Sequence, residues 1–263
     1  SLPLILLKLI RFKTQFILRI SGYPKLNFFR KLLWKLVSKK IFRISCPSID
    51  LMKQLSERDI FLESKIIFLP DPIIKVKNFA KKTNFVLEDE NLSKENYFIS
   101  VGRLTKQKNF GYLIDEFKEF LHHDLNYKLL IFGEGEEKNF LEKKIKENDL
   151  QKKIFLMGYS NKIYKYMRKS KAFILSSLWE DPGFVIIESA MSNLFVISSD
   201  CKNGPTEFLE NGRAGILYET NKKGALKKSL ITFLNLQNEI EKKKILAKKN
   251  CTKYTLFRHY KTL

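Results

Sequence analysis

AFILSSLWEDPGFVIIESA, from Ala172 to Ala190, carries the clearest fold signal in this sequence. Its first four residues are apolar, which is typical of a strand buried on both faces of a sheet. A polar loop follows, and Asp181 and Pro182 then predict the start of a helix, because an aspartate caps free backbone N–H groups and a proline fits the first helical position. The segment therefore predicts a buried strand, a loop and a helix in that order.

Similar strand-like runs occur on both sides of this segment. Together with Ala172 to Leu175 they are Tyr97 to Val101, Lys128 to Phe132, Ile154 to Met157 and Leu194 to Ser198. Each run is followed by a turn and a helix-like stretch, and this alternation predicts parallel strands joined by crossover helices on both faces of the sheet. In such a doubly wound α/β sheet the ligand lies beyond the carboxyl ends of the strands, so we expect the functional residues in the loops there.

The chain divides into four parts by pattern. Ahead of residue 75, Ile41 to Ser45 and Lys65 to Leu69 predict strands, and Ile49 to Glu57 predicts a helix. The tail from Lys222 to Leu263 looks helical throughout. We therefore predict an incomplete domain over residues 1–74, a polar linker over residues 75–95, a doubly wound domain over residues 96–245 and a C-terminal helix over residues 246–263.

Positive charge is the strongest feature of the composition. The chain has 49 Lys and Arg residues against 28 Asp and Glu residues, which gives a formal net charge of +21. Nucleic acid, anionic phospholipid and a phosphorylated small molecule all fit this charge, and so does a lysine-rich composition without functional meaning. The asymmetry is local, because eleven basic residues and no acidic residue precede Asp50.

The basic N-terminal part contains an amphipathic helical pattern. Its apolar residues at helix-like intervals are Phe28, Phe29, Leu32, Leu33, Leu36 and Val37. A helix of this kind docks on anionic lipid headgroups at about 1 kcal/mol for each basic residue near the surface. An ordinary helix that faces the core and exposes its lysines is the alternative.

Composition argues against several classes of protein. Three cysteines without a Cys-x-x-Cys spacing and three histidines do not fit a disulfide framework or a zinc site, and they favour a reducing, cytosolic setting. The longest N-terminal apolar run, Leu2 to Leu7, ends at Lys8, far short of the roughly 20 residues that cross a bilayer. Because the chain begins at Ser1 without an initiator Met or a signal-peptide pattern, we expect a fragment of a longer protein.

The first loop of the doubly wound domain is cationic. Gly102 and Arg103 begin it and Lys108 ends it. Cations at a junction between a strand and a helix suit a diphosphate, because arginine presents a planar fork to phosphate oxygens and lysine a mobile point charge. An exposed charged turn without a ligand has the same pattern.

The second loop is rich in glycine. Gly133 and Gly135 resemble the start of a dinucleotide fingerprint. However, Lys138 occupies the third glycine position, which argues against a nicotinamide dinucleotide site. We expect the two glycines to let the backbone turn tightly beside a ligand.

Two glutamates lie around the start of the predicted helix. Glu180 lies in the loop before it, where we expect the carboxylate beside a sugar. Glu188 lies about one turn inside the helix, where its carboxylate can accept from two neighbouring hydroxyl groups. The backbone N–H groups of Gly183 and Phe184 suit a phosphate. A solvated Glu180 in a surface loop, with Glu188 on an exposed helix face, is the alternative.

The order and spacing of five motifs resemble glycosyltransferase family 4 over about residues 95–220. The motifs are Val101-Gly102-Arg103-Leu104 with Gln107-Lys108-Asn109, Phe132-Gly133-Glu134-Gly135, Glu180 and Glu188 with seven residues between them, Gly204-Pro205-Thr206-Glu207, and Asn211-Gly212 with Gly215. The segment from Cys46-Pro47-Ser48 to Leu69-Pro70-Asp71-Pro72 also resembles the last strand and hinge of that family's first domain. The run Glu-Asp-Pro-Gly-Phe is similar to bacterial enzymes that add hexoses or N-acetylhexosamines to lipid-linked oligosaccharides and surface polysaccharides.

The resemblance implies a GT-B architecture with a complete C-terminal Rossmann-like domain and a truncated remnant of the N-terminal one. It implies retaining transfer of a sugar from a nucleotide-sugar, with a UDP-sugar favoured over a GDP-sugar, to a glycan or polyprenyl-linked acceptor. No metal and no cofactor are implied, and the sequence has no Asp-x-Asp motif. We expect a cytoplasmic protein at the anionic surface of the inner membrane, without a nucleic acid partner.

The resemblance also implies roles for individual residues. Arg103, Lys108 and Glu180 are the catalytic candidates, since the two cations would stabilise the departing diphosphate and Glu180 would hold the donor sugar. Glu188 would hold the ribose hydroxyls. The other donor-binding candidates are Gly102, Gly133, Gly135, Gly158, Tyr159, Asp181, Pro182, Gly183, Phe184 and Val185, with Gly158 and Tyr159 beside the base.

Two other functions stay open from the sequence. Most of the family's first domain, including its glycine-rich loop and a histidine near the sugar, has no counterpart in this chain, so a fragment that binds the donor without turning it over is one alternative. A basic nucleic-acid-binding protein is the other, although no RNA- or DNA-reading signature accompanies the basic residues.

Overall fold

The structure, a computed structural model, describes residues 14–22, 24, 26–74 and 95–263. Almost all of the predicted linker, residues 75–95, lies outside the described residues. The apolar run Leu2 to Leu7 lies outside them as well, as do the basic residues Lys8, Arg11, Lys13 and Lys25.

A small parallel sheet forms the N-terminal part of the fold. Its strands are β1 (Ile17–Arg19), β2 (Arg43–Cys46) and β3 (Ile66–Phe68), in the order β1-β2-β3. Its helices are α1 (Phe28–Ser38) and α2 (Ile49–Ser56), and a 3-10 turn precedes β3. α2 begins at Ile49 because the Ser48 hydroxyl accepts from the N–H of Leu51 at 3.2 Å. The predicted strands and helix of this part are confirmed to within two residues, and β1 is an addition.

A six-stranded parallel sheet forms the larger part of the fold. In chain order its strands are β4 (Asn96–Val101), β5 (Tyr127–Phe132), β6 (Ile154–Gly158), β7 (Ala172–Leu175), β8 (Phe195–Ser199) and β9 (Ile216–Tyr218). Their spatial order is β6-β5-β4-β7-β8-β9. The order reverses between β4 and β7, where a doubly wound sheet opens a crevice for a ligand. The predicted α/β class is confirmed, and β9 is a strand that the sequence analysis missed.

Helices cover both faces of the large sheet. In chain order, the helices of this part of the fold are α3 (Phe110–Leu121), α4 (Lys138–Glu147), α5 (Ile163–Lys169), α6 (Phe184–Met191), α7 (Pro205–Phe208), α8 (Ala225–Asn235), α9 (Glu239–Asn250) and the terminal α10 (Leu256–Thr262). Neighbouring residues of β4 point to opposite faces, as the pleat requires. Phe98 packs in the core with Phe117 of α3, and Ile99 packs in the core with Ile187 of α6.

The tail from Lys222 to Leu263 is helical over most of its length, as predicted, but it is interrupted, and the predicted C-terminal helix over residues 246–263 is divided between two helices. α8, α9 and α10 are separate helices. Gln237, between α8 and α9, has a φ of 34°, which a continuing right-handed helix does not allow. Thr255 then caps α10, because its hydroxyl accepts from the N–H of Arg258 at 3.3 Å.

α1 is amphipathic: Val37 and Trp34 pack toward the N-terminal core, and other apolar residues are exposed. Phe28 and Phe29 are 75% and 78% exposed, Leu32 and Leu36 are about half exposed, and Val37 is buried. The alternative of a helix that faces the core therefore holds for Val37 and Trp34 but not for the four exposed residues. None of the described helices is long and apolar enough to cross a bilayer.

The N-terminal part contacts the larger part through several hydrogen bonds between the described residues. Nδ1 of His259 on α10 lies 2.7 Å from the carbonyl oxygen of Pro70, and Ile74 pairs with Thr255. The N–H of Ile49 at the start of α2 donates to Oε2 of Glu207 on α7 at 2.8 Å. The last helix therefore reaches the segment after β3, while the domain boundaries stay predictions.

Candidate functional site

The loops after β4 and β5 pack directly against each other. The N–H of Gly102 donates to the carbonyl of Phe132, and the N–H of Leu104 donates to the carbonyl of Glu134, both at 2.9 Å. Gly133 has a φ of 140°, and a Cβ added to it would lie 1.9 Å from the carbonyl oxygen of Gly102. The glycine is therefore needed for the close approach of the two loops.

A cavity of about 690 Å³, the first cavity, opens beside these loops at the carboxyl ends of β4, β5 and β6. It is lined by Val101, Gly102, Arg103, Phe132, Gly133, Glu134, Tyr159, Ser160, Asn161, Ile163 and Tyr164. Arg103 and Tyr159 are exposed, and Tyr159 follows Gly158, which has a φ of 67°. Four of the predicted donor-binding or catalytic residues thus share one cavity: Gly102, Arg103, Gly133 and Tyr159.

Lys108 and Glu180 form a buried ion pair between the loops after β4 and β7. Lys108 Nζ lies 2.5 Å from Glu180 Oε1, and their side chains are 12% and 4% exposed. The hydroxyl of Ser177 also donates to Glu180 Oε1, and the hydroxyl of Ser176 donates to the carbonyl of Lys108 at 2.7 Å. The alternative of a solvated Glu180 is therefore wrong.

The ion pair connects the first cavity with the start of α6. A Cβ added to Gly102, which lines the cavity, would lie 3.1 Å from Cε of Lys108. A Cβ added to Gly183 would lie 3.1 Å from Cγ of Glu180. The crevice between β4 and β7 is therefore followed by a chain of neighbouring residues, in the order Gly102, Lys108, Glu180 and Gly183.

The predicted start of α6 needs a correction. The helix begins at Phe184, its cap position is Gly183 with a φ of 77°, and among the described residues no side chain caps it. Neither Asp181 as cap nor Pro182 as first helical residue is correct, because the left-handed glycine turns the chain after both of them. The first N–H groups of α6, which include those of Phe184 and Val185, lack partners within the helix.

Glu188 is connected to the first cavity by a tyrosine. The hydroxyl of Tyr164, on α5, donates to Glu188 Oε1 at 2.7 Å. Burial, and then the charge of Glu188, raise the pKa of Tyr164. Tyr164 lines the first cavity and was not among the predicted residues. The signal for it in the sequence is its place at the second residue of the helix that follows Gly158 and Tyr159.

Comparison with known proteins identifies the family. Residues 82–250 match the model of the family described as glycosyl transferases group 1. The chain belongs to this family. A relative from Methanocaldococcus jannaschii, an uncharacterized glycosyltransferase, is 34% identical over 79% of this chain and 54% of its own length. A relative from Campylobacter jejuni is 31% identical over 84% of this chain and 61% of its own length. That protein is named N-acetylgalactosamine-N,N'-diacetylbacillosaminyl-diphospho-undecaprenol 4-alpha-N-acetylgalactosaminyltransferase.

Solved structures of glycosyltransferases have the same fold. A glycosyltransferase from Rickettsia africae matches with a TM-score of 0.80 at 19% identity, over 94% of this chain and 68% of that one. HepE of Anabaena in complex with UDP matches with a TM-score of 0.78 at 12% identity, over 94% of this chain and 70% of that one. The fold is therefore that of the GT-B glycosyltransferases. The narrower assignment to family 4 stays a prediction.

In this member of the group 1 family, Asp181 lines a second cavity. That cavity measures about 510 Å³ and is lined by Gln54, Glu57, Arg58, Trp179, Asp181, Lys202 and Asn203. Asp181 Oδ1 accepts from Asn203 Nδ2 at 3.4 Å. Burial, and then the charge of Glu180, raise the pKa of Asp181.

The described part of the chain holds no cluster of three or more His, Cys, Asp or Glu side chains that could bind a metal ion. All three cysteines are free and buried, at positions 46, 201 and 251. The expectation of a metal-independent enzyme without a cofactor stays a prediction.

Proposed function

We propose that this chain holds the nucleotide-sugar donor of a hexosyltransferase or N-acetylhexosaminyltransferase, and that the donor is a UDP-sugar. The buried Lys108–Glu180 pair, at the point where the strand order of the large sheet reverses, carries the proposal. Cations and free helix amides along one crevice suit a diphosphate, and a carboxylate beside them suits sugar hydroxyls. The name of the C. jejuni relative supports an N-acetylhexosamine as the transferred sugar, and the UDP bound to HepE supports UDP as the nucleotide.

The proposed roles of the residues follow the path of the crevice. Arg103 and Lys108 stabilise the negative charge that develops on the diphosphate as the glycosidic bond lengthens. Glu180 holds the donor sugar, and Glu188, oriented by Tyr164, holds the ribose hydroxyls. The other proposed donor contacts are Gly102, Gly133, Gly135, Gly158, Tyr159, Gly183, Phe184 and Val185. The transfer needs no metal ion and no cofactor, since two cations and the helix amides neutralise the diphosphate.

The proposed acceptor is a glycan or a polyprenyl-linked glycan, and the transfer retains the configuration of the donor. The C. jejuni relative, whose name includes diphospho-undecaprenol, supports the acceptor class. The resemblance to family 4 supports retention. The chain spans 54% and 61% of the lengths of the two relatives, so donor binding without transfer is the second candidate.

The proposed location is the cytoplasmic face of the inner membrane, with α1 on anionic lipid. Phe28, Phe29, Leu32 and Leu36 are exposed on a helix that also carries Arg30, Lys31 and Lys35. Exposed apolar and basic side chains on one helix suit a lipid surface. We expect the chain to co-sediment with vesicles that contain phosphatidylglycerol at low salt. The double variant Phe29→Ser and Leu32→Ser is expected to bind these vesicles more weakly. Equal sedimentation with pure phosphatidylcholine vesicles would exclude an electrostatic contribution.

Calorimetric titration tests the donor directly. We expect UDP and UDP-hexoses to bind, and GDP and GDP-hexoses to bind more weakly. A transfer assay on the same preparation separates an active enzyme from a module that only binds. If neither nucleotide diphosphate binds, both the enzyme and the binding module are excluded.

A further inference from the structure

The second cavity borders the segment that contains Glu180. Trp179 and Asp181, the residues immediately before and after Glu180, both line it. The N–H of Glu180 donates to the carbonyl of Lys202, another lining residue, at 3.1 Å. The opposite wall comes from the end of α2, with Gln54, and from the residues that follow it. The cavity therefore lies on the side of Glu180 that faces the N-terminal part of the fold.

The lining of the second cavity does not suit a diphosphate. Its carboxylates, Glu57 and Asp181, balance its cations, Arg58 and Lys202, so that the formal charge is zero. Two amide side chains, Gln54 and Asn203, complete the polar lining. Carboxylates accept from hydroxyl groups, and amides both donate and accept. This set matches a neutral ligand with many hydroxyl groups.

Trp179 adds an apolar surface to this polar cavity. Its side chain is large, and the residue is 46% exposed. An indole in a binding site offers a flat apolar face that suits the C–H face of a sugar ring, with polar groups around it to fix the ring's orientation. Trp179 and the two carboxylates thus give the cavity the chemistry of a carbohydrate site.

The cavity is held in shape by contacts across it. Gln54 Nε2 donates to Asn203 Oδ1 at 3.2 Å, and the N–H of Asn203 donates to Asp50 Oδ2 at 3.1 Å. The carbonyl of Trp179 accepts from Gln107 Nε2 at 2.9 Å. Because hydrogen bonds already hold the walls in place, the binding of a ligand costs less free energy for ordering the protein.

We infer that the second cavity binds a sugar ring of the acceptor glycan. The inference rests on the proposed function, in which the first cavity and the Lys108–Glu180 pair take the donor. A sugar in the second cavity lies next to the segment that holds Glu180, and Glu180 faces the donor sugar. The cavity is therefore the place from which an acceptor hydroxyl reaches the donor.

Tryptophan fluorescence offers a direct test, because the chain has two tryptophans, Trp34 and Trp179. In the variant Trp34→Phe, Trp179 is the single indole reporter. The methyl α-glycosides of glucose, galactose, N-acetylglucosamine and N-acetylgalactosamine would each be titrated into this variant in the presence of saturating UDP. At least one glycoside is expected to change the emission of Trp179 in a saturable way. If none does, the inference is wrong.

The affinity of variants for the glycoside shows whether the second cavity is its binding site. Trp179→Ala is expected to weaken the binding of that glycoside roughly three- to tenfold by saturation-transfer NMR, the effect of losing one aromatic contact. Glu57→Gln, on the opposite wall, is expected to weaken it too. Phe140→Ala, at an exposed aromatic residue that lines neither cavity, is the matched control and keeps the affinity.

UDP binding distinguishes the failure of this inference from that of the proposed function. The variants Trp179→Ala and Glu57→Gln are expected to bind UDP as the unaltered chain does. If they lose UDP as well as the glycoside, the second cavity belongs to the donor site and the inference is overturned. If the unaltered chain binds no UDP, the proposed function fails, whatever the glycosides do.

Discussion

Among single residues, Lys108 and Glu180 form a buried ion pair whose loss is expected to be costly. Both side chains are nearly buried, and a buried charge without its partner is strongly unfavourable. We predict that Lys108→Met lowers the free energy of unfolding by about 3–5 kcal/mol, because it leaves Glu180 buried without its cation. Chemical denaturation measures this change.

The double variant Lys108→Met with Glu180→Gln separates stability from binding. It removes both charges, so we expect it to recover most of the lost stability while UDP binding stays weak. Recovery of UDP binding together with stability would mean that the pair is structural only.

At the scale of elements, the glycine of the loop after β5 sets the distance between two loops. Gly133→Ala brings a Cβ within 1.9 Å of the carbonyl oxygen of Gly102, in a backbone region that disfavours side chains. We predict that it destabilises the chain and also weakens UDP binding, as thermal denaturation and calorimetry would measure.

Gly212→Ala is the matched control for this prediction. Gly212 also has a positive φ, of 90°, but a Cβ added there would have nothing within 4 Å. We expect a smaller loss of stability, on the order of 1 kcal/mol from backbone strain alone, and normal UDP binding. If Gly133→Ala and Gly212→Ala lose equal stability and equal UDP affinity, the close approach of the two loops at Gly133 contributes to neither.

The elements also show what the sequence could predict. β7 was predicted at its observed bounds, because its four consecutive apolar residues are typical of a buried strand and the polar loop that follows marks its end. β1 and β9 were missed, whereas β3, which is equally short and also lies at a sheet edge, was predicted because Pro70-Asp71-Pro72 marks its end. The start of α6 was wrong because the aspartate and the proline fit a local rule that Gly183, in a left-handed conformation, overrides.

The proximity of the candidate residues could be predicted in part. Residues at the carboxyl ends of parallel strands meet at one edge, so Arg103, Lys108 and Glu180 could be placed near one another from the alternation of strands, loops and helices. The hydrogen bond from Tyr164 to Glu188 joins two residues that are 24 positions apart and lie on different helices. Because no local pattern encodes such a contact, it could not be predicted.

At the scale of the whole molecule, Glu207 connects the larger part of the fold to the N-terminal part through the N–H of Ile49. Burial raises the pKa of this carboxyl above its ordinary value of 4.5. The folded chain therefore holds the proton more tightly than the unfolded chain does, so this contribution to stability is complete below pH 4.5 and is lost as the pH rises through the raised pKa.

We predict that Glu207→Gln reduces the loss of stability over that pH range, as denaturation at several pH values would measure. Glu219→Gln, at an exposed carboxylate, is the control and is expected to keep the pH dependence of the unaltered chain. A pH dependence unchanged by Glu207→Gln would contradict the assignment.

Calorimetric titration of UDP into the chain and into Arg103→Ala is the decisive test of the proposed donor site, because Arg103 lines the first cavity and is exposed to a ligand there. We predict that UDP binds the unaltered chain and binds Arg103→Ala about tenfold more weakly, the effect of losing one charge-assisted hydrogen bond. Arg213→Ala, at an arginine outside the crevice, is expected to bind as the unaltered chain does. Equal affinity of UDP for Arg103→Ala and the unaltered chain would contradict the donor site described above.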